Sequence, residues 1–141
     1  MGDLDSFHDR LAYGKVAEEY AHRILNERGI PYKTSQEHWG NFWTNKLDKQ
    51  YGDIIISFPG KDPIWIDVKR NSIPLASVDE FIGNYFWVFH HVVENYYILI
   101  TKQELLSLEL PIHELSSGDP GYKIKDLPDN NRSIENISKF I

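Results

Sequence analysis

The sequence predicts one α/β domain (α+β by some schemes), with an N-terminal helix followed by a mixed four- to five-stranded sheet flanked by helices. Three observations carry this expectation. Apolar residues recur at helical spacing through the first 28 positions. Two short apolar segments flank a Pro-Gly turn between residues 53 and 69. Two more flank Glu94-Asn95 between residues 85 and 100.

The elements follow in order. Ser6 with Asp9 forms a capping-box pattern at the start of the first helix. Leu11, Ala17, Ala21, Ile24 and Leu25 give its apolar stripe. Arg28-Gly29-Ile30-Pro31 ends it, with glycine at the turn and proline beyond. Residues 32–51 read as irregular, with a short strand over Tyr32 to Gln36 and then a long loop or lid. Asp53 to Phe58 and Ile64 to Lys69 read as strands joined by the turn at 59–63, a hairpin. Ser77 with Glu80 suggests a second capping box and a short helix near 78–84. Tyr85 to Val93 and Tyr96 to Ile100 form a second hairpin, and Thr101 with Glu104 caps a helix to about Leu108. After Pro111 the chain turns polar and turn-rich, and Ile134, Ile137 and Ile141 suggest a small terminal helix.

A chain of 141 residues is the size of one domain. Its core is expected over about residues 6–108, with a C-terminal extension over 109–141. Hydrophobic residues make up 41%, enough for one core, and charged residues 26%. No stretch approaches the roughly 18 apolar residues of a membrane helix. The start, MGDLDSFHDR, lacks the basic and then apolar order of a signal peptide. Gly2 and Ser6 fit the loose myristoylation pattern, but the same stretch reads as the start of a helix. No membrane association and a cytoplasmic setting are therefore expected. The absence of cysteine excludes disulfides, thiolate zinc sites and a cysteine nucleophile. A formal net charge of −6 and a pI of about 5.4 argue against holding nucleic acid by bulk charge.

Certain polar residues stand where stability does not explain them. At about 100° per residue, Glu18 falls among Leu11, Gly14, Ala21 and Leu25, whereas Glu19 falls with Lys15 and Arg23 on the polar side. A carboxylate on an apolar face is costly unless it is paired, binds metal, or lies at the stripe's edge and reaches water. In Ile64 to Lys69, Trp65, Asp67 and Lys69 share one strand face, and Ile64, Ile66 and Val68 share the other. The hairpin brings Asp53 towards Asp67. A surface ion pair is the ordinary reading of Asp67 and Lys69 alone. An aspartate on the paired strand and a glutamate on the preceding helix make the constellation more specific. Carboxylates with a backbone carbonyl, that of Val68, suit Mg²⁺ or Mn²⁺ better than zinc. Hard cations of this kind generate a nucleophile from water and relieve charge on a phosphate. A lysine beside such an ion gives up its proton more readily than a free one.

In Gly14 to Glu18 (GKVAE), Gly52-Asp53 and Asp67-Val68-Lys69, in that order on helix and hairpin, the sequence resembles the PD-(D/E)XK nuclease superfamily. The resemblance covers roughly residues 10–70, and YYILITKQELL lies in a suitable later position. Tyr51-Gly52 departs from it, standing where the name-giving proline would be. The resemblance implies a restriction-endonuclease-like core and a Mg²⁺-dependent nuclease, with Mn²⁺ able to substitute. Asp53 and Asp67 would bind the metal, Lys69 would orient or activate water, and Glu18 would add a ligand or a second metal contact.

Other residues are candidates for nucleic-acid contact. Trp39, Trp43, Lys46 and Lys49 lie in the aromatic loop and could stack on bases or hold a backbone, or the tryptophans could cap the core. Arg70, just past the strand, could hold a phosphate. His90 and His91 are adjacent on a strand and so point to opposite faces. His8, His22, His38 and His113 form no metal spacing, and Phe86, Trp87, Phe89 and Val93 read as core. The leading expectation is a DNA endonuclease of restriction, homing or junction-resolving type. It would work as a homodimer, because one site cuts one strand. Its small size suits a phage or mobile-element protein. The alternatives are a non-catalytic nucleic-acid-binding or assembly module on the same fold, or an unrelated α+β domain with Glu18 far from Asp53 and Asp67.

Overall fold

The computed structural model describes residues 16–90, 96–128 and 133–138. The chain is a mixed α/β structure with a mixed five-stranded sheet. Helix α1 is described over residues 16–27. The Ser6–Asp9 capping pattern, Leu11, Gly14 and the myristoylation pattern lie outside the described residues. Ala17, Ala21 and Leu25 are buried, as their spacing requires. The helix stops where expected. Gly29 takes a φ of 67°, and the Ile30 N–H returns to the Leu25 carbonyl at 2.9 Å, a glycine-based stop that satisfies end carbonyls.

The segment expected to be a long loop is mostly ordered, which corrects the sequence reading. It holds β1 (Lys33–Thr34), α2 (Ser35–Trp39), a 3₁₀ turn (Gly40–Phe42) and α3 (Asn45–Tyr51). The strand expected over Tyr32 to Gln36 stops at Thr34, because Thr34 instead caps α2: its side chain accepts from the Glu37 N–H, and Glu37 reaches back to the Thr34 N–H. Thr44 caps α3 through the Leu47 N–H. Helices of five to seven residues leave no periodicity to read, which is why they were hidden.

Strands β2 (Ile54–Ile56) and β3 (Ile64–Arg70) form the first expected hairpin, with Ile54 opposite Ile66 and Ile56 opposite Ile64. β4 (Ser72–Pro74) follows, and then α4 (Leu75–Glu80). The helix expected near 78–84 therefore starts earlier, after Pro74. Ser77 lies inside it, so the Ser77–Glu80 capping box does not form. β5 (Tyr85–Phe89) runs parallel to β3, and β6 (Tyr97–Thr101) returns antiparallel to β5, the second expected hairpin. β5 ends at Phe89, and residues 91–95, including His91 and Val93, lie outside the described set. The Thr101 cap and α5 (Lys102–Ser107) agree with expectation.

The polar stretch after Pro111 also builds structure. β7 (His113–Glu114) and β8 (Pro120–Lys123) join β4 in a second sheet of order β4-β8-β7. The terminal helix, α6 (Ser133–Ser138), places Ile137 in the core, whereas Ile141 is not described.

The five-stranded sheet, ordered β1-β2-β3-β5-β6, is buried on both faces at β5 and β6. Trp87, Phe89, Tyr97 and Leu99 point to the side of α1, where Ala17, Ala21 and Leu25 cover Ile54, Ile56, Ile66 and Val68. Phe86, Val88, Ile98 and Ile100 point to the other side, where Val78, Leu105, Ile73 and Tyr122 cover them. Alternation with period two produces this division. At β3 the second face changes character. Asp67 lies opposite Phe86 and Lys69 opposite Val88, so the carboxylate and the amine stand at the margin of an apolar layer.

Candidate active site

The site is assembled where β2 begins and the middle of β3 loses its neighbour. Gly52 carries the chain across β3. Its φ of 97° is a conformation that L side chains rarely adopt, and a Cβ there would lie 2.4 Å from the Ile66 carbonyl oxygen. The crossing lets the Asp53 N–H donate to the Ile66 carbonyl (2.8 Å) while Asp53 Oδ2 accepts from the Val68 N–H (2.8 Å). Asp53 thus closes the β3 edge with its side chain. In an extended strand the N–H and C=O of one residue leave on the same edge, so the Val68 carbonyl also faces Asp53 and away from β5.

Asp67 is buried beside this edge, and Lys69, two residues on along the same face, places Nζ 3.2 Å from Asp67 Oδ2. Asp53, Asp67 and Lys69 line one cleft with Asp48, Lys49 and Ser77. Glu18 is half-buried at the edge of the α1 stripe and lines an adjoining cleft of about 410 Å³ with His22, Thr34, Ser35, Gln36, Asp48 and Asp53. Glu18 and Asp53 therefore face one space. Burial pushes the Asp53 carboxyl well above the ordinary carboxylate range, and the neighbouring Asp67 and Glu18 charges push it further; the Val68 N–H opposes them.

Asp48 and Ser35 gave no signal in the sequence. Asp48 lines both clefts, and its Oδ1 accepts from the Trp43 indole N–H at 2.8 Å. Ser35 is buried, and its hydroxyl has no hydrogen-bond partner on the wall of the second cleft. Neither residue belongs to a readable motif, since both sit on short helices. His22, set aside for want of metal spacing, lines the second cleft and stacks on Tyr32 (5.1 Å, 23°). Burial lowers its pKa, against Glu37 and Glu19, which raise it.

The aromatic candidates are half-buried and engaged by neighbouring side chains. Trp39 stacks on Trp65 (5.8 Å, 28°) and leans on Tyr51 and His38, while Trp43 is tied to Asp48. Lys46 and Lys49 are exposed, and Arg70 is half-buried. His90 is half-buried against Tyr96, and His113 pairs with Asp126 at 2.7 Å in the region of the second sheet. Phe86, Trp87 and Phe89 are fully buried core.

The donor set is one that a hard cation could use. Asp67 pairs with Lys69, and Asp53 is held up mainly by its burial and then by the charges of Asp67 and Glu18. All the donors are oxygens. Among the described residues, no three carboxylate or imidazole side chains stand around one point. Asp53, Asp67 and the Val68 carbonyl are the oxygens that could hold a hard cation here, and water would have to complete its sphere.

One consequence concerns stability. Because the Asp53 carboxyl is raised, its contribution favours the fold at pH below its ordinary value and is lost as pH climbs through the raised value. Asp53→Asn keeps an acceptor for the Val68 N–H and removes the repulsion from Asp67 and Glu18. In EDTA at pH 7 it should unfold at a higher temperature than wild type, by about 0.5–2 kcal/mol of added stability. Equal or lower melting of Asp53→Asn, followed by circular dichroism, would contradict the repulsion.

No protein-family model, no curated protein and no solved structure matches this chain.

Proposed function

We propose that this chain is a divalent-metal-dependent endonuclease hydrolysing phosphodiester bonds in DNA, with Mg²⁺ as its cation and Mn²⁺ able to replace it. The observation that carries the proposal is the junction at β3. There Asp53 is fastened to the Val68 N–H, and Asp67 and Lys69 stand side by side on one face. A restriction-endonuclease-like core is part of the proposal. The run of helix, antiparallel hairpin, parallel strand and antiparallel return supports it. So does Glu18, which faces the Asp53 side of the junction.

When bound, the cation would acidify a water and offset charge on the phosphate. The rest falls to the protein. Asp53 is held in one orientation by the Val68 N–H. Asp67 is buried, so its carboxylate is held in place. Lys69 directs N–H donors towards the space in front of Asp67, where they orient the attacking water and the phosphate oxygens. The water oxygen bonds to phosphorus as the bond to the leaving sugar oxygen breaks. The attacking water's proton passes to solvent, and the leaving oxygen takes one from solvent, so the protons balance. One site cuts one strand, so duplex cleavage calls for a homodimer.

The test is supercoiled plasmid incubated with wild type and Mg²⁺, with EDTA, and with Lys69→Ala purified identically. Nicking by wild type alone, lost in EDTA, is expected. Equal nicking by the variant would trace the activity to a contaminant. An inert wild type that still binds DNA would leave a non-catalytic binding module.

A further inference from the structure

The segment from Thr34 to Lys49 forms one wall of both clefts, through Thr34, Ser35, Gln36, Asp48 and Lys49. Its 3₁₀ turn carries Phe42, which is 81% exposed, the most exposed large apolar residue among those described. Single exposed apolar side chains are ordinary on protein surfaces. Phe42 differs in how it is held. Trp39 on one side of the turn is locked against Trp65 and Tyr51, and Trp43 on the other is hydrogen-bonded to Asp48. Both anchors are half-buried and held by partners, and the ring between them is left in water.

The surroundings of this turn identify an occupant. Lys46 and Lys49 are three residues apart on α3, hence on one face, and both are exposed. Lys49 also reaches the wall of the cleft that holds Asp67 and Lys69. An exposed aromatic ring followed four and seven residues later by exposed cations is a combination with which proteins hold unpaired nucleotides: the ring stacks on a base, and the cations follow the phosphates.

We infer that Phe42 is a base-stacking residue that, with Lys46 and Lys49, selects single-stranded or locally unpaired DNA at the site. The inference rests on the nuclease reading and deepens it by naming the substrate class. It also reassigns the stacking role expected of Trp39 and Trp43, whose rings are used in fixing the turn.

The test is fluorescence anisotropy with Ca²⁺ in place of Mg²⁺, using a labelled thymidine oligomer of about 20 nucleotides and a blunt duplex of the same length. Phe42→Ala should weaken the single strand about tenfold and the duplex much less, while Phe42→Trp should restore it. Because the side chain is exposed, neither variant should alter the circular dichroism spectrum. Unchanged affinity of Phe42→Ala, a loss that tryptophan does not restore, or a wild type that binds neither probe would each overturn the inference. A dimer that falls to monomer on Phe42→Ala in sedimentation would also overturn it, assigning the ring to a second copy of the chain. Incubating the same single strand with Mg²⁺ separates the two readings: a wild type that binds it through Phe42 but never cuts it would support stacking and overturn the nuclease.

Discussion

Lys69→Ala should lower the rate of plasmid nicking by about 10²–10³-fold, the range seen when one donor aimed at developing charge is removed. The fold should survive, because the Lys69 side chain is about one-quarter exposed and ends in an ion pair with Asp67. Metal binding should survive too, since Asp53 and Asp67 are untouched. Removing the ammonium even frees Asp67 Oδ2, so calorimetric titration with Mn²⁺ should show equal or tighter binding. This split distinguishes a chemical role from a structural one. Lys69→Arg sharpens it. Arginine keeps the charge beside Asp67 but cannot be deprotonated in proteins. If charge alone stabilises the transition state, Lys69→Arg retains much of the activity; if a compact amine must handle a proton, it falls with Lys69→Ala. Wild-type rates for Lys69→Ala would remove the assigned role.

Gly52→Ala should be among the most damaging single substitutions in the chain for stability. Two penalties act together. The φ of 97° strains an L residue, about 1–3 kcal/mol. The new Cβ would also lie 2.4 Å from the Ile66 oxygen, 2.6 Å from its carbonyl carbon and 2.8 Å from the Asp67 nitrogen. These are backbone atoms of a strand paired on both edges, so they cannot swing aside as a flexible side chain could. Overpacking of this kind costs about another 1–3 kcal/mol. A loss of about 2–6 kcal/mol in all should appear as a lower urea midpoint. The protein that remains folded should also be inactive, since relief of the clash must move Asp53 from the Val68 N–H. An unchanged midpoint would mean that Gly52 does not cross β3 at contact distance.

Much of the candidate site is legible in the sequence because it rests on short-range periodicity. The alternation in Ile64 to Lys69 assigns Asp67 and Lys69 to one face whatever the rest of the chain does, since successive side chains on a strand oppose each other. The five-residue turn at 59–63 makes the hairpin, and the hairpin brings Asp53 to Asp67. The helical wheel singles out Glu18, which the structure puts at the edge of the buried stripe and on a cleft wall. The stops and caps at Gly29 and Thr101 are equally local.

Other features belong to tertiary structure alone. Why residue 52 is glycine is not apparent until β3 passes within contact of it, 14 residues later in the chain at Ile66. Asp48 and Ser35 join the clefts only because two very short helices fold over the β3 edge, below the length at which periodicity can be read. The second sheet pairs Ile73 with Tyr122, a contact between distant segments with no local pattern to announce it. Which aromatic faces water was decided in the same way. Trp39, Phe42 and Trp43 look alike in sequence, and only the presence of Trp65, Tyr51 and Asp48 half-buries the two tryptophans and leaves the phenylalanine out. Local chemistry determined which residues share a strand or helix face; packing between distant segments determined which of those faces became a site.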